Sequence, residues 1–155
     1  MLVSGEINAM LHADVPPCIW ENNPNVGRLF PNYREVEQDY YRRTKIFPIM
    51  HSVAIKREIY EANPWVAKSL YDAFVESKNI CQKAIETNTG ALLYMLPWTV
   101  AEYEDTVSVM GNDYWAYGVE GSRPTLEALT QYAYEQGLAT RKFSLDELFA
   151  PETYK

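Results

Sequence analysis

The sequence is poor in cysteine and histidine, and it contains no long basic or apolar run. Two cysteines and two histidines among 155 residues, with no CxxC or Cys/His spacing, exclude a disulfide scaffold and a zinc cluster. The net charge of -7 without a basic stripe excludes nucleic acid as the natural partner. No apolar window could span a bilayer and no export signal opens the chain, which predicts a cytoplasmic protein with reduced thiols.

What the chain does contain is a strongly apolar stretch at residues 46–55, rich in β-branched side chains. This pattern is typical of a strand buried on both faces, so we predict a central strand whose paired part begins at Ile49, after Pro48. Asn63 and Pro64 then predict the start of a long helix, because Asn accepts free amide hydrogens and Pro gives up no needed donor. The sequence thus predicts a helix-rich α/β domain with a small sheet.

The long helix that follows Pro64 is predicted to be amphipathic and to break at Asn88 and Gly90, before an apolar turn at residues 91–96. We expect Cys81 to lie in the core. The apolar stripe predicted to cover the sheet consists of Val66, Leu70, Ala73, Phe74, Ser77, Cys81 and Ala84.

Further helices are predicted at residues 33–44, at residues 99–110 and from Pro124 to Gly137. Ser144 with Glu147 forms a capping box, which indicates a last short helix. The inward face of the helix after Pro124 is predicted to comprise Leu126, Leu129, Tyr132 and Ala133.

The first 32 residues carry weaker patterns. Residues 1–13 predict a short helix that feeds a short strand, although Gly5 interrupts the helical spacing. Residues 14–32 are rich in proline and asparagine, which predicts an ordered loop. We expect Trp20, Leu29 and Phe30 to anchor this loop.

Several segments spread along the chain resemble the 4,5-dihydroxyphthalate decarboxylase family, and the match runs nearly from end to end. The segments that carry the resemblance are residues 2–10 (LVSGEINAM), 46–51 (IFPIMH), 63–71 (NPWVAKSLY), 95–98 (MLPW), 135–138 (EQGL) and 147–153 (ELFAPET).

The resemblance implies a fold similar to type II periplasmic-binding proteins, in which two α/β lobes enclose a ligand cleft. This chain resembles only the C-terminal half. Residues 1–32 would then end the second lobe and cross over, and residues 33–155 would return to the first lobe. One face of the cleft would come from other polypeptide, so we expect a homodimer or a missing N-terminal half as partner, with an interface that includes residues 114–117.

The reaction that the resemblance implies is removal of one carboxylate from a dihydroxylated phthalate. A catechol ring is electron-rich, so a general acid can protonate the ring carbon and CO₂ can leave without an organic cofactor. Residue chemistry makes His51 the candidate acid and Arg57 and Arg123 the candidate ligands of the substrate carboxylates. Trp115 and Tyr117, in a loop dense in aromatics and glycines, are candidates to stack on the ring.

Each of these roles has a structural alternative. His51 could be a hydrogen-bonded core or crossover histidine, and the two aromatic residues could fill a hydrophobic seam. Arg123 could pair with Glu120 or Glu127. His12 and Asp14 form at most half a metal site, so no metal is predicted. At the level of function, the alternatives are a non-catalytic, solute-binding-type module for small aromatic carboxylates and an inactive truncated remnant.

Overall fold

The structure, a computed structural model, describes residues 1–87 and 95–154. The chain divides into two compact units, Met1–Asp39 and Tyr40–Lys155. The helices of the described residues are α1 Pro17–Trp20, α2 Tyr33–Thr44, α3 Arg57–Ala62, α4 Trp65–Thr87, α5 Thr99–Met110, α6 Val119–Glu135 and α7 Leu145–Leu148, followed by a 3₁₀ turn at Pro151–Thr153.

The first unit has little regular structure before α2. Residues 1–6 form turns in which the Gly5 amide donates to the Leu2 carbonyl at 3.2 Å, and Gly5 adopts a φ of 76°. The predicted short helix and strand at residues 1–13 are therefore wrong. Residues 17–20 of the predicted loop form α1 instead. Trp20, Leu29 and Phe30 are 71%, 86% and 53% exposed, so they do not anchor residues 14–32 as expected.

The predicted central strand is also wrong, and with it the α/β fold class. Residues 46–55 have no regular secondary structure, and no strand occurs anywhere in residues 1–87 or 95–154. The side chains of residues 47–54, which should be buried on both faces, are exposed, with Met50 and Val53 each at 63%, and only Ile46 and Ile55 of the segment are half-buried.

The strand prediction is wrong because the local sequence pattern shows only half of what a strand requires. An apolar, β-branched run indicates a segment that would suit a sheet, but a strand also needs a second strand to receive its hydrogen bonds. The described part of the chain supplies none to residues 46–55, and Pro48 has no amide hydrogen to donate. One amide of the segment bonds to helix α6 instead: Phe47 N donates to Thr125 Oγ1 at 3.2 Å.

The predicted helices are confirmed more closely. The bounds predicted for α2 and α5 agree with the structure, and α4 begins one residue after Pro64. The charged segment predicted to be a turn after residue 55 is the six-residue helix α3. The predicted break at Asn88 and Gly90 and most of the predicted apolar turn at residues 91–96 lie outside the described residues.

The face that α4 packs differs from the predicted one. This helix contacts α3, α5 and the 3₁₀ turn. The buried or half-buried positions along one face, which we name the packed face, are Ala67, Tyr71, Val75, Lys78, Gln82 and Ile85. The prediction that Cys81 lies in the core is wrong, since its side chain is exposed. The exposed part of the predicted apolar stripe, which we name the α4 stripe, consists of Leu70, Ala73, Phe74, Ser77 and Cys81.

Helix α6 also begins and packs differently from the prediction. It starts at Val119 rather than at Pro124. The proline lies inside the second turn of the helix, where its missing amide hydrogen removes one backbone hydrogen bond. Leu126 is buried as predicted, whereas Leu129 is 57% exposed. Thr130 is buried in its place, so the inner face lies one residue further along the helix.

The best-buried hydrophobic cluster joins α6 to the C-terminal segment. Val119, Leu126 and Leu145 form this cluster, and Phe149 and Tyr154 pack against it. Tyr154 donates its hydroxyl hydrogen to Asp146 Oδ1 at 2.6 Å. Burial and the neighbouring Asp146 carboxylate raise the pKa of Tyr154 to about 12.

The predicted capping box of α7 is confirmed. The Ser144 amide and hydroxyl both donate to Glu147 Oε2, at 2.9 and 3.0 Å, and Arg141 donates to both carboxylate oxygens of Glu147. These donors, the Arg141 guanidinium first, lower the pKa of Glu147 to about 2.

Candidate functional site

The loop between α5 and α6, residues 111–118, is the candidate site because it carries two of the predicted substrate contacts. Gly111 and Gly118 both adopt a φ of 88°, a backbone conformation that other L-residues rarely reach. Its C-terminal part folds tightly against α6. A Cβ on Gly121 would lie 2.8 Å from Ala116 Cβ, so this approach requires glycine.

Two side chains one turn apart on α4 hold the other part of this loop. Lys78 Nζ lies 2.6 Å from Asp113 Oδ1, and Gln82 donates through Nε2 to the Asn112 carbonyl at 2.6 Å. The Lys78 side chain is only 12% exposed and its ammonium lies 5.4 Å from the centre of the Tyr117 ring. One face of Tyr117 is therefore occupied by a cation, and the residue as a whole is 36% exposed.

Trp115 lies on the side of this loop that faces the segment containing His51. Its ring contacts Phe47 edge-on, with centroids 5.7 Å apart and planes at 62°. Trp115 is 50% exposed, so part of its ring surface is open to a ligand. Phe47 is in turn fixed to α6 through the hydrogen bond to Thr125, and thus the loop, the segment and α6 meet at this point.

His51 follows Phe47 by four residues, so its Cα lies within about 14 Å of the Cα of Phe47. The imidazole is exposed and has no hydrogen-bond partner among the described residues. This environment does not fit a hydrogen-bonded core histidine. It leaves the ring accessible to solvent or to a bound molecule.

Arg123 makes both of the pairings considered as structural alternatives. Its Nε donates to Glu120 Oε2 at 3.0 Å, and its Nη1 donates to Glu127 Oε1 at 3.3 Å. These carboxylates raise the pKa of Arg123, and its hydrogen bond lowers the pKa of Glu120. A substrate carboxylate would have to replace one of them, and the longer contact, to Glu127, is the weaker.

Arg57 does not join this group in the described structure. Its side chain is 85% exposed at the start of α3, and its ion pair with Glu61 is long, at 4.0 Å. Trp115 and Tyr117 are thus brought to one loop, with the His51 segment reaching that loop through Phe47. Arg123 lies two residues before Thr125 on α6, and Arg57 remains separate.

Sequence reasoning missed Lys78, Phe47 and Thr125 as parts of this site. Lys78 carried a detectable signal, because it is the one charged residue at helical spacing with Ala67 and Val75 on the packed face of α4. Phe47 and Thr125 carried none, since their contact joins positions 78 residues apart.

The imidazole of His12 has a hydrogen-bond partner within its own turn. The Asp14 amide donates to His12 Nδ1 at 3.1 Å. Residues 1–87 and 95–154 hold no group of three or more possible metal ligands. Within the same residues, every helix is too short or too polar to cross a membrane.

Comparison with known proteins supports the resemblance seen in the motifs. No model of a known protein family matches the chain. The chain is 28% identical, over 97% of its length, to 4,5-dihydroxyphthalate decarboxylase of Comamonas testosteroni, and the match covers 46% of that protein. The chain therefore spans about half the length of this relative. The resemblance predicted from the sequence is confirmed: nearly the whole chain is similar in sequence to a 4,5-dihydroxyphthalate decarboxylase.

Proposed function

We propose that this chain contributes to the decarboxylation of 4,5-dihydroxyphthalate or a similar dihydroxylated aromatic dicarboxylate, as part of a larger site. The single observation that carries the proposal is the similarity to the Comamonas testosteroni decarboxylase over 97% of the chain. The aromatic and cationic groups around residues 111–118 are of the kind that a planar dicarboxylate requires.

In this proposal the aromatic ring of the substrate stacks on the open part of Trp115, with Phe47 behind it. Tyr117, with the Lys78 ammonium over one face of its ring, lies in the same loop as Trp115. Arg123 binds one substrate carboxylate by exchanging its contact with Glu127. Arg57 is the second candidate ligand, and it would act only if α3 or the substrate brings the groups together.

His51 is the proposed general acid. Protonation of the ring carbon that bears the leaving carboxylate breaks the aromatic system, and the hydroxyl group para to it donates electrons to stabilise the cation. The bond to the carboxylate then breaks, its electron pair returns to the ring, and CO₂ leaves. The products are CO₂ and a dihydroxybenzoate, and no electron acceptor is consumed. His51 regains its proton from solvent because its ring is exposed.

The experiment measures CO₂ release from 4,5-dihydroxyphthalate by the chain alone and by the chain combined with the unmatched part of the relative. Changing His51→Gln should lower turnover by a factor of roughly 100 to 10,000, the usual contribution of a positioned acid. Because His51 is exposed, the thermal midpoint should barely change.

His12→Gln is the matched control, since His12 is the other histidine and is held in a local turn. Its turnover should equal that of the unmodified protein. Normal turnover by the His51→Gln variant would contradict the acid role. Saturable binding of the dicarboxylate in calorimetry, with no CO₂ from any combination, would instead identify a binding module.

A further inference from the structure

Helix α4 presents three faces, and one of them is unexplained by the described fold. At about 100° per residue, the packed positions cover one third of the helix and the charged positions Asp72, Glu76 and Lys83 cover another. The remaining third holds the α4 stripe, together with the half-buried Val66 and Ala84 near the two ends of the helix. The stripe contains no charged residue, yet all five of its side chains are exposed, with Leu70 at 38% and Phe74 at 46%.

Exposure of this uncharged stripe to water is unfavourable, because it leaves apolar side chains hydrated. The same sequence pattern predicts a buried face, because its apolar positions recur at helical spacing over three turns. The described core is small, with only Ala67, Val119, Leu126 and Leu145 as buried hydrophobic residues. Apolar surface that a domain of this size would normally bury is therefore left uncovered on α4.

A second copy of the chain fits this stripe poorly. From Leu70 to Cys81 the stripe is roughly 17 Å long, and a width of about 10 Å gives an area on the order of 200 Å². Stable interfaces between separate proteins bury about 800 Å² on each partner. Each copy also carries a net charge of -7, which opposes self-association. A face this small suits packing within a larger folded unit.

We infer that the α4 stripe is the seam against which polypeptide equivalent to the unmatched part of the Comamonas testosteroni decarboxylase packs. That relative is about twice as long as this chain, and 97% of this chain matches only 46% of it. In the relative, the segment that corresponds to α4 therefore belongs to a protein in which more than an equal length of other polypeptide lies outside the match. The inference concerns packing and does not depend on the proposed catalytic activity.

Cys81 makes the seam measurable, because its thiol is a native probe within the stripe. The first experiment compares the rate of thiol labelling at Cys81, quantified by peptide mass spectrometry, in the chain alone and in a chimaera. In the chimaera this chain replaces the matched part of the relative. We expect labelling to slow by about tenfold or more in the chimaera, since packing excludes the reagent.

Two variants of the chimaera locate the protected face. Phe74→Glu adds a charge within the stripe and should restore rapid labelling of Cys81. Asn79→Glu adds the same charge to an exposed position on the opposite side of α4 and should leave Cys81 protected. Equal labelling of Cys81 in the chimaera and in the isolated chain would overturn the inference.

A measurement on the relative itself covers the case in which the chimaera does not fold. A cysteine placed in the decarboxylase at the position aligned with Cys81 should be protected in its folded state, and free labelling there would contradict the inference. In the isolated chain, labelling of Cys81 should not depend on protein concentration. Protection that increases with concentration would show that a second copy covers the stripe, which also overturns the inference.

Discussion

Lys78 shows how a single residue can be misread from its type. Charged residues normally lie on solvated faces, but this one is 12% exposed because it occupies the packed face of α4. A buried ammonium needs compensation, and Asp113 and the Tyr117 ring supply it. Its spacing with Ala67 and Val75 was visible in the sequence, whereas its partners 35 residues away were not.

Replacing Lys78→Met should loosen the loop at residues 111–118. The change removes the partner of Asp113, whose side chain is 63% exposed, so water screens part of the loss and we expect a destabilisation of about 1 kcal/mol. Hydrogen exchange of residues 112–118, followed by mass spectrometry, should become faster. Lys83→Met is the control, since Lys83 is 71% exposed on the same helix and should leave the loop unchanged. Unchanged exchange in both variants would show that Lys78 does not hold the loop.

Glu147 should make stability depend on pH in the acid range. Its pKa in the folded state is about 2, below the ordinary value of 4.5, so its contribution is complete above pH 4.5 and disappears as the pH falls towards 2. Glu147→Gln should therefore lower the thermal midpoint at pH 7, with a smaller difference at pH 2.5. Glu104→Gln, at an exposed position on α5, is the control and should show no such difference. An equal difference at both pH values would contradict the assignment.

At the scale of elements, the sequence predicted where helices lie better than which face each one packs. Local signals such as capping residues and periodicity determine the ends of α2 and α5. The packed face depends on neighbours distant in sequence, and both α4 and α6 pack a face next to the one predicted. The strand prediction for residues 46–55 was wrong for the same reason, because a strand requires a partner strand and the local sequence pattern does not show whether one is present.

The packing register of α6 can be tested with two leucines on the same helix. Leu126→Ala should destabilise the protein by about 2–4 kcal/mol, because Leu126 is 6% exposed and its removal leaves a cavity beside Val119 and Leu145. Leu129→Ala is the matched control, at 57% exposure, and should change stability by less than about 0.5 kcal/mol. Chemical denaturation measures both. Losses of similar size in both variants would restore the inward face predicted from the sequence, which held both leucines.

At the scale of the whole molecule, the family resemblance was accessible from short motifs, but the assembly was not. The predicted dimer through residues 114–117 stays a prediction, as does the assignment of residues 1–32 and 33–155 to parts of two lobes. Tyr114 already has an aromatic neighbour within the chain, since its ring lies 6.0 Å from that of Tyr103. The side chains of the α4 stripe, by contrast, remain exposed in the described structure.

The hydrogen bond between Tyr60 and Glu152 also constrains the order in which the chain can fold. It joins α3 to the 3₁₀ turn, at 3.0 Å, across 92 positions of sequence. During synthesis α3 and most of α4 leave the ribosome long before Glu152 is made. Until then the Tyr60 hydroxyl bonds to water, and the part of α4 that contacts the 3₁₀ turn stays uncovered. Closing so long a loop is entropically costly and comes late. The nascent chain is thus most open to chaperones or to misassembly between the appearance of α4 and the appearance of the 3₁₀ turn.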